Sequence, residues 1–320
     1  MTRAASRRAL ALHLAVLALL FALQFVLPAY HHASLARILV LAAFAVGYNL
    51  LMGYTGLLSL GHAMFFAAGL YGAGLTVHHL GFGVPSGFLA GCVAAFLLAL
   101  AIGAIALRTT GVFFMIVTLM FAQAGFLTAL YFNEITRGDE GFVLAAAARV
   151  LDIGGQPVAL SEPNLRYNLA LAIFAACLLV SLVVVRSSFG RTLVAVRENE
   201  ERTRLLGYNT FLYKLAALAL SGAMSGAAGA AYALLFGYVG ATFAAIQYSI
   251  FPLLWVLLGG VGTTLGPLIG TVLMFYLVDV SSEYTTAYMI VVGAALVLLV
   301  MWFPRGILGT VRQRWAPWLP

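Results

Sequence analysis

Three stretches carry the residues whose types and spacing could do chemistry. The first is Gly53-Tyr-Thr-Gly-Leu-Leu-Ser-Leu-Gly-His62, running on to Phe65. Gly53, Gly56 and Gly61 break a helix, and Ser59 and His62 stand where the next helix starts. Broken helices in transporters line substrate paths, and small residues also let helices approach closely in lipid. Both readings are open here, whereas Gly69, Gly72 and Gly74 read as packing. His62 is an ionisable group beside an apolar segment. It is either a pathway residue or a neutral imidazole bonded to a neighbouring carbonyl. The second stretch is Trp255-Val-Leu-Leu-Gly-Gly-Val-Gly-Thr-Thr-Leu-Gly-Pro-Leu-Ile-Gly270. Gly259, Gly260 and Gly262 interrupt it, and Pro267 suits the first turn of the following helix. It lacks the Gly-Lys-Ser/Thr ending of a phosphate-binding loop, which excludes nucleotide binding. Two interrupted segments, one in each half of the chain, point to a central pathway.

The third stretch spans residues 186–214 and is dense in charge. Leu193, Val196, Leu205 and Leu206 are interleaved with Arg191, Arg197, Glu198, Glu200, Glu201, Arg202 and Arg204. The pattern predicts one or two short amphipathic helices stopped at Gly207, with Gly190 among the residues of the stretch. An orientation signal needs cations only; ordered apolar positions with three carboxylates suit a helix that docks into a partner's groove. No Ser/His/Asp grouping, metal-ligand spacing or carboxylate pair stands outside the loops, so no catalytic or metal site is expected. Cys92 and Cys177 lie in apolar runs and read as small packing residues. His78, His79, Asp279 and Glu283 read as interfacial.

The elements that hold these stretches follow from composition. Of 320 residues, 63% are hydrophobic and 8% charged, with a mean hydropathy of +1.04. A soluble domain is about 45–50% apolar and about 25% charged. A compact soluble body could not cover its surface with so few charges, which excludes a cytosolic enzyme and a nucleic-acid-binding domain. The predicted fold is all-α: a polytopic transmembrane bundle of about ten spans, some short or broken. Apolar runs fall at about 9–27, 35–52, 58–77, 88–107, 112–131, 167–185, 211–238, 248–258, 265–280 and 287–303. The first is long for a cleaved signal and reads as an uncleaved span. The span interiors read as almost free of charge, with His62, Asn49 and Gln123 the polar candidates. Residues 132–166 form an external polar loop of little hydrophobic weight. The net charge is +7. With both termini cytoplasmic, Arg108, the 186–214 cluster, Arg305, Arg312 and Arg314 all fall inside, as the positive-inside rule requires of ten crossings.

In combination these stretches resemble the M-type inner-membrane permease subunits of branched-chain amino acid ATP-binding-cassette (ABC) importers. The resembling residues are Gly53 to Phe66, Ser188-Phe-Gly-Arg-Thr-Leu193, Arg197-Glu-Asn-Glu200, Tyr213-Lys-Leu215, Leu258-Gly-Gly-Val-Gly-Thr263 with Gly266-Pro267, and Phe303-Pro-Arg-Gly306. They occur in family order between about residues 40 and 309. The resemblance implies one permease domain over 1–310 with a cytoplasmic tail at 311–320, in the bacterial inner membrane. It implies a second permease subunit, two ATP-binding subunits, a periplasmic substrate-binding protein and surrounding lipid as partners, and no nucleic acid. The chain itself is expected to be no enzyme and to bind no cofactor, ATP being used by the partners.

The 186–214 stretch looks like the importer coupling helix, whose motif has an acidic residue and two alanines before a glycine. Glu201 and Gly207 keep that spacing, but Arg202 and Thr203 replace the alanines. In Thr136-Arg-Gly-Asp-Glu-Gly141, Arg137 replaces a residue that is small in the family. The coupling set is therefore Gly190, Arg191, Arg197, Glu198, Glu201 and Gly207. The expected cargo is a branched-chain or other hydrophobic amino acid. Urea, amides or another small solute are the alternatives within the class, and an ion-coupled secondary transporter is the alternative outside it.

Overall fold

In lipid every backbone polar group must find its partner inside the segment, so apolar runs of this length become helices. The computed structural model describes residues 3–153, 156–316 and 318. Positions 317, 319 and 320 of the expected tail lie outside the described residues. In chain order the elements are α1 (Arg3–Leu23), α2 (Ala29–Asn49) continued by a π turn over Leu50–Tyr54, α3 (His62–Leu80), α4 (Val84–Ala106), α5 (Val112–Tyr131) and α6 (Asn133–Thr136). Then come β1 (Phe142–Val143), β2 (Val150–Ile153), β3 (Gln156–Ala159), α7 (Pro163–Arg186), α8 (Ser188–Glu198), α9 (Glu200–Leu205), α10 (Thr210–Phe236) and β4 (Tyr238–Val239). The chain ends with α11 (Ile246–Gly259), α12 (Gly266–Tyr284), α13 (Tyr288–Trp302) and α14 (Ile307–Arg314). The molecule is an all-α membrane protein with two short two-stranded ladders.

Each expected apolar run falls on a helix, and five segments are long and apolar enough to cross a membrane: Ala29–Tyr54, Val84–Ala106, Val112–Tyr131, Pro163–Arg186 and Thr210–Phe236. Three features depart from the expectation. The third run starts at His62 rather than 58, because Gly56, at φ +76°, turns the chain out of the helix. The fourth starts at Val84, where Pro85 occupies the first turn. The second run is not free of charge, since Arg37 lies inside α2. Counting charge at the ends of apolar runs overlooked it. α11 has 14 residues with Pro252 inside. At about 1.5 Å per residue it is roughly 21 Å long, short of a hydrocarbon core of about 30 Å.

α2 and α10 form the centre: 89% and 78% of their most apolar windows are buried, against 17% for α5. α10 packs on α3, α4 and α2, and α2 also meets α7, α11 and α12. The α3–α10 contact is backbone on backbone. A Cβ on Gly229 would overlap the Phe66 carbonyl, and one on Gly69 would overlap Gly226. Small residues are what allows such an approach in lipid.

The described residues of the 132–166 loop carry short secondary structure that the sequence reading does not give. β2 and β3 form an antiparallel hairpin, and β1 pairs with β4 (Phe142 opposite Val239), tying the loop to the segment after α10. Its few apolar residues are used as pins: Phe142, Leu144 and Leu160 are buried. Arg137 has φ +60° and caps α6 in the left-handed region. A residue with a Cβ there costs roughly 1–2 kcal/mol. Arg137→Gly is therefore expected to raise the thermal stability of the solubilised protein, by up to about 1 kcal/mol after the entropy of the added glycine is subtracted. A fall in melting temperature would show that the Arg137 side chain is needed.

Candidate functional site

The two glycine-broken stretches, more than 200 residues apart, meet at one junction. Asn49, at the end of α2, holds the 259–266 loop by two bonds: Nδ2 donates to the Thr263 carbonyl at 2.9 Å, and Oδ1 accepts from Gly262 N–H at 3.0 Å. Gly53 lies in the same contact, where a Cβ would stand 2.6 Å from Gly262 N. Two cations from other elements close the junction. Arg197 of α8 donates through Nη1 to the Gly53 carbonyl at 2.5 Å, and Arg312 of α14 donates to the Gly262 carbonyl at 2.9 Å. The Gly53 carbonyl stands in the last turn of a helix, where a cation is favourable, and the Gly262 carbonyl lies in the loop between α11 and α12. The Arg197 stem crosses Gly56, where a Cβ would stand 2.5 Å from Arg197 Cγ. Gly259 and Gly260 sit on the far side, against Gly266, Gly306 and Gly309.

Ser59, Gly61, His62 and Phe65 lie apart from this junction. Ser59, His62 and Phe65 are fully buried. Gly61 packs against the Thr118 backbone of α5. Ser221 Oγ donates to the Gly47 carbonyl at 2.6 Å, so it accepts from His62 Nε2–H at 2.8 Å. His62 Nδ1 is then a bare acceptor without a partner. Tyr48 and Phe65 pack edge-on to the imidazole. Ala63 N–H, freed at the start of α3, donates to Ser249 Oγ of α11 at 2.9 Å. The first turns of the two short-ended helices are thus joined inside the molecule.

The charged stretch forms two helices. Ser187 caps α8 by accepting from Gly190 N–H, and Asn199 caps α9 by accepting from Arg202 N–H at 2.9 Å. A Cβ at Gly190 would meet the Val184 carbonyl, so glycine permits the sharp corner from α7 into α8. Gly207, at φ +90°, ends the segment as the expected C′ glycine. Leu193 and Val196 face inward, whereas Arg191, Glu198, Glu201, Arg202, Leu205 and Leu206 are exposed. Glu198 pairs with Arg197 at 2.6 Å.

Glu200 anchors α9 to α10 through an ion pair with Lys214 at 2.7 Å. Burial pushes the Glu200 pKa up, but the hydrogen bond and charge of Lys214 outweigh it and hold the carboxyl below its ordinary value of 4.5. A depressed folded value gives stabilisation present above pH 4.5 and lost as pH falls through that lower value. Hydrogen exchange of residues 200–207 is expected to quicken below that pH, and Glu200→Gln should remove the pH step. An identical step in the Gln variant would assign it to another group.

Sequence reasoning did not assign three residues that hold the site. Asn49 is visible as a polar residue in a span and Arg312 as a cytoplasmic cation, but neither partner is. Ser221 carries no local motif.

The family pattern described as the branched-chain amino acid transport system permease component matches residues 31–301. The chain belongs to this permease family. Among its relatives, the high-affinity branched-chain amino acid transport system permease protein LivM of Escherichia coli K12 is 29% identical over 304 residues, covering 88% of this chain and 70% of LivM. The LivM protein of Salmonella typhimurium LT2 is 29% identical over 291 residues, with 84% and 68% covered. The high-affinity branched-chain amino acid transport system permease protein LivH of E. coli K12 is 25% identical over 280 residues, covering 84% of this chain and 91% of LivH. No solved structure matches. The chain is a permease subunit of a branched-chain amino acid ABC importer and a multi-pass inner-membrane protein.

Proposed function

We propose that this chain is the M-type half of a two-permease importer that carries branched-chain or similar hydrophobic amino acids inward. The helices α1–α5, α7 and α10–α13, with α11 a short, broken crossing, span the membrane with both termini cytoplasmic, and α8–α9 is the coupling segment. Two ATP-binding subunits hydrolyse ATP beneath it, a second permease subunit completes the path, and a periplasmic binding protein delivers the substrate. The junction of Gly53, Gly56, Gly259, Gly260 and Gly262 forms the inner end of the path, and Ser59, Gly61, His62 and Phe65 support it.

One observation carries the reading. Leu205 and Leu206 are 89% and 72% exposed beside Glu201, on the segment where the positive-inside rule puts cytoplasm. Side chains of that kind on a short, well-capped helix are suited to a partner's groove. Leu206→Asp combined with Glu201→Ala is expected to abolish co-purification of the ATP-binding subunits while the permease pair stays intact. Undiminished co-purification and transport would remove α9 from the docking role.

A further inference from the structure

A cavity of about 330 Å³ opens between α2, α10, α11 and α12. Its volume falls in the range of about 300–1,000 Å³ typical of small-molecule sites. Arg37, Asp279, Tyr248, Phe251, Trp255 and Met274 are among the residues that line it. Two opposite charges thus share one cavity, yet they do not pair with each other. Among the described residues no ion pair joins Arg37 to Asp279. The Arg37 guanidinium instead lies over the Phe236 ring, 5.4 Å from its centroid. Asp279 Oδ2 accepts from Tyr30 at 2.6 Å, which leaves lone pairs on both carboxylate oxygens free. Ionisable residues in membrane helices usually pair with one another. Held apart across a cavity, these two are arranged for a guest that carries both charges.

The walls supply the rest. Phe251 and Trp255 stack at 6.0 Å and Tyr248 meets Phe251 edge-on at 5.6 Å, giving a flat apolar surface. We propose that this cavity is a binding site for the zwitterion of an aliphatic α-amino acid. Arg37 takes the carboxylate, Asp279 takes the ammonium, and the side chain lies against Phe251, Trp255 and Met274. A guanidinium fork suits a carboxylate, and the aromatic faces favour a nearby ammonium. The inference rests on the reading of the chain as an amino-acid permease and gives that permease a recognition site of its own.

The test uses the assembled transporter in nanodiscs, without binding protein, equilibrated with a photoreactive diazirine analogue of leucine. After illumination the adducts are mapped by peptide mass spectrometry. Adducts are expected on the α10, α11 and α12 peptides around the cavity. Excess leucine should suppress them, whereas 4-methylpentanoate, which lacks the ammonium, and isopentylamine, which lacks the carboxylate, should not. R37Q and D279N should each lower labelling about tenfold, the effect of roughly one lost charge contact. Should either variant fail to assemble, the competitor pattern on the unaltered transporter decides. Adducts elsewhere, equal suppression by all three competitors, or labelling unchanged in assembled variants would overturn the assignment. ATP-driven leucine uptake by the unaltered transporter separates the two levels. Uptake with such a labelling result sinks the site and leaves the importer, whereas no uptake of any branched-chain amino acid sinks the importer itself.

Discussion

Arg197→Ala is expected to leave the transporter assembled while cutting substrate uptake per ATP hydrolysed by about tenfold or more. Arg197 belongs to the coupling segment by sequence, and although the residue is exposed its guanidinium reaches across to the end of α2. Its guanidinium holds the Gly53 carbonyl and the Glu198 carboxylate, and its side chain is 35% exposed. It therefore joins the element beneath which a motor would sit to the end of α2, which Asn49 ties to the 259–266 loop. A hydrogen bond from a charged group contributes about 1.5–3 kcal/mol. At about 1.4 kcal/mol per tenfold, its loss is large enough to separate ATP hydrolysis from movement of the junction. Arg197→Lys should restore part of the effect, because an ammonium supplies the charge without the planar fork. Measured in proteoliposomes, an uptake-to-hydrolysis ratio unchanged in Arg197→Ala would show that the bond to Gly53 transmits nothing.

Gly53→Ala is expected to be a strongly damaging single-methyl change at the junction. The added Cβ would overlap Asn49 Oδ1 and stand 2.6 Å from Gly262 N, so both Asn49 bonds to the loop must shift. Overpacking of this kind costs typically about 1–3 kcal/mol. The contrast is Gly293→Ala in α13, where nothing lies within 4 Å of the new atom. There the higher helix propensity of alanine should stabilise by up to about 1 kcal/mol. Thermal unfolding of the solubilised proteins compares the two. Equal melting temperatures would mean that the junction gives way without cost.

How much of this could be read from the chain depends on how local each signal is. The helices follow from runs of apolar residues, and the ends of the docking segment follow from Ser187, Asn199 and Gly207, because capping is decided within a few residues. That Gly53–His62 and Gly259–Gly270 are breaks was equally legible. That they meet was not, because the contact is made by Asn49 across 213 residues and an amide in a span gives no address for its partner. His62 shows the same limit: its partner Ser221 lies 159 residues away, on a helix that reads as plain packing. The outer loop was underestimated because two-residue strands such as β1 have no period to detect. Arg37 was hidden in an otherwise apolar run, although a cation inside a span is a signal by itself.

The central claim is that this permease moves its cargo with energy delivered through the α8–α9 segment and stores none in membrane-buried ion sites. Uptake of radiolabelled leucine into proteoliposomes holding the complete transporter tests it most directly, with ATP and ion gradients varied independently. Uptake should require ATP, persist when proton and sodium gradients are collapsed, and vanish in the Leu206→Asp/Glu201→Ala variant. Uptake that continues without ATP and stops when an ion gradient is dissipated would contradict the account.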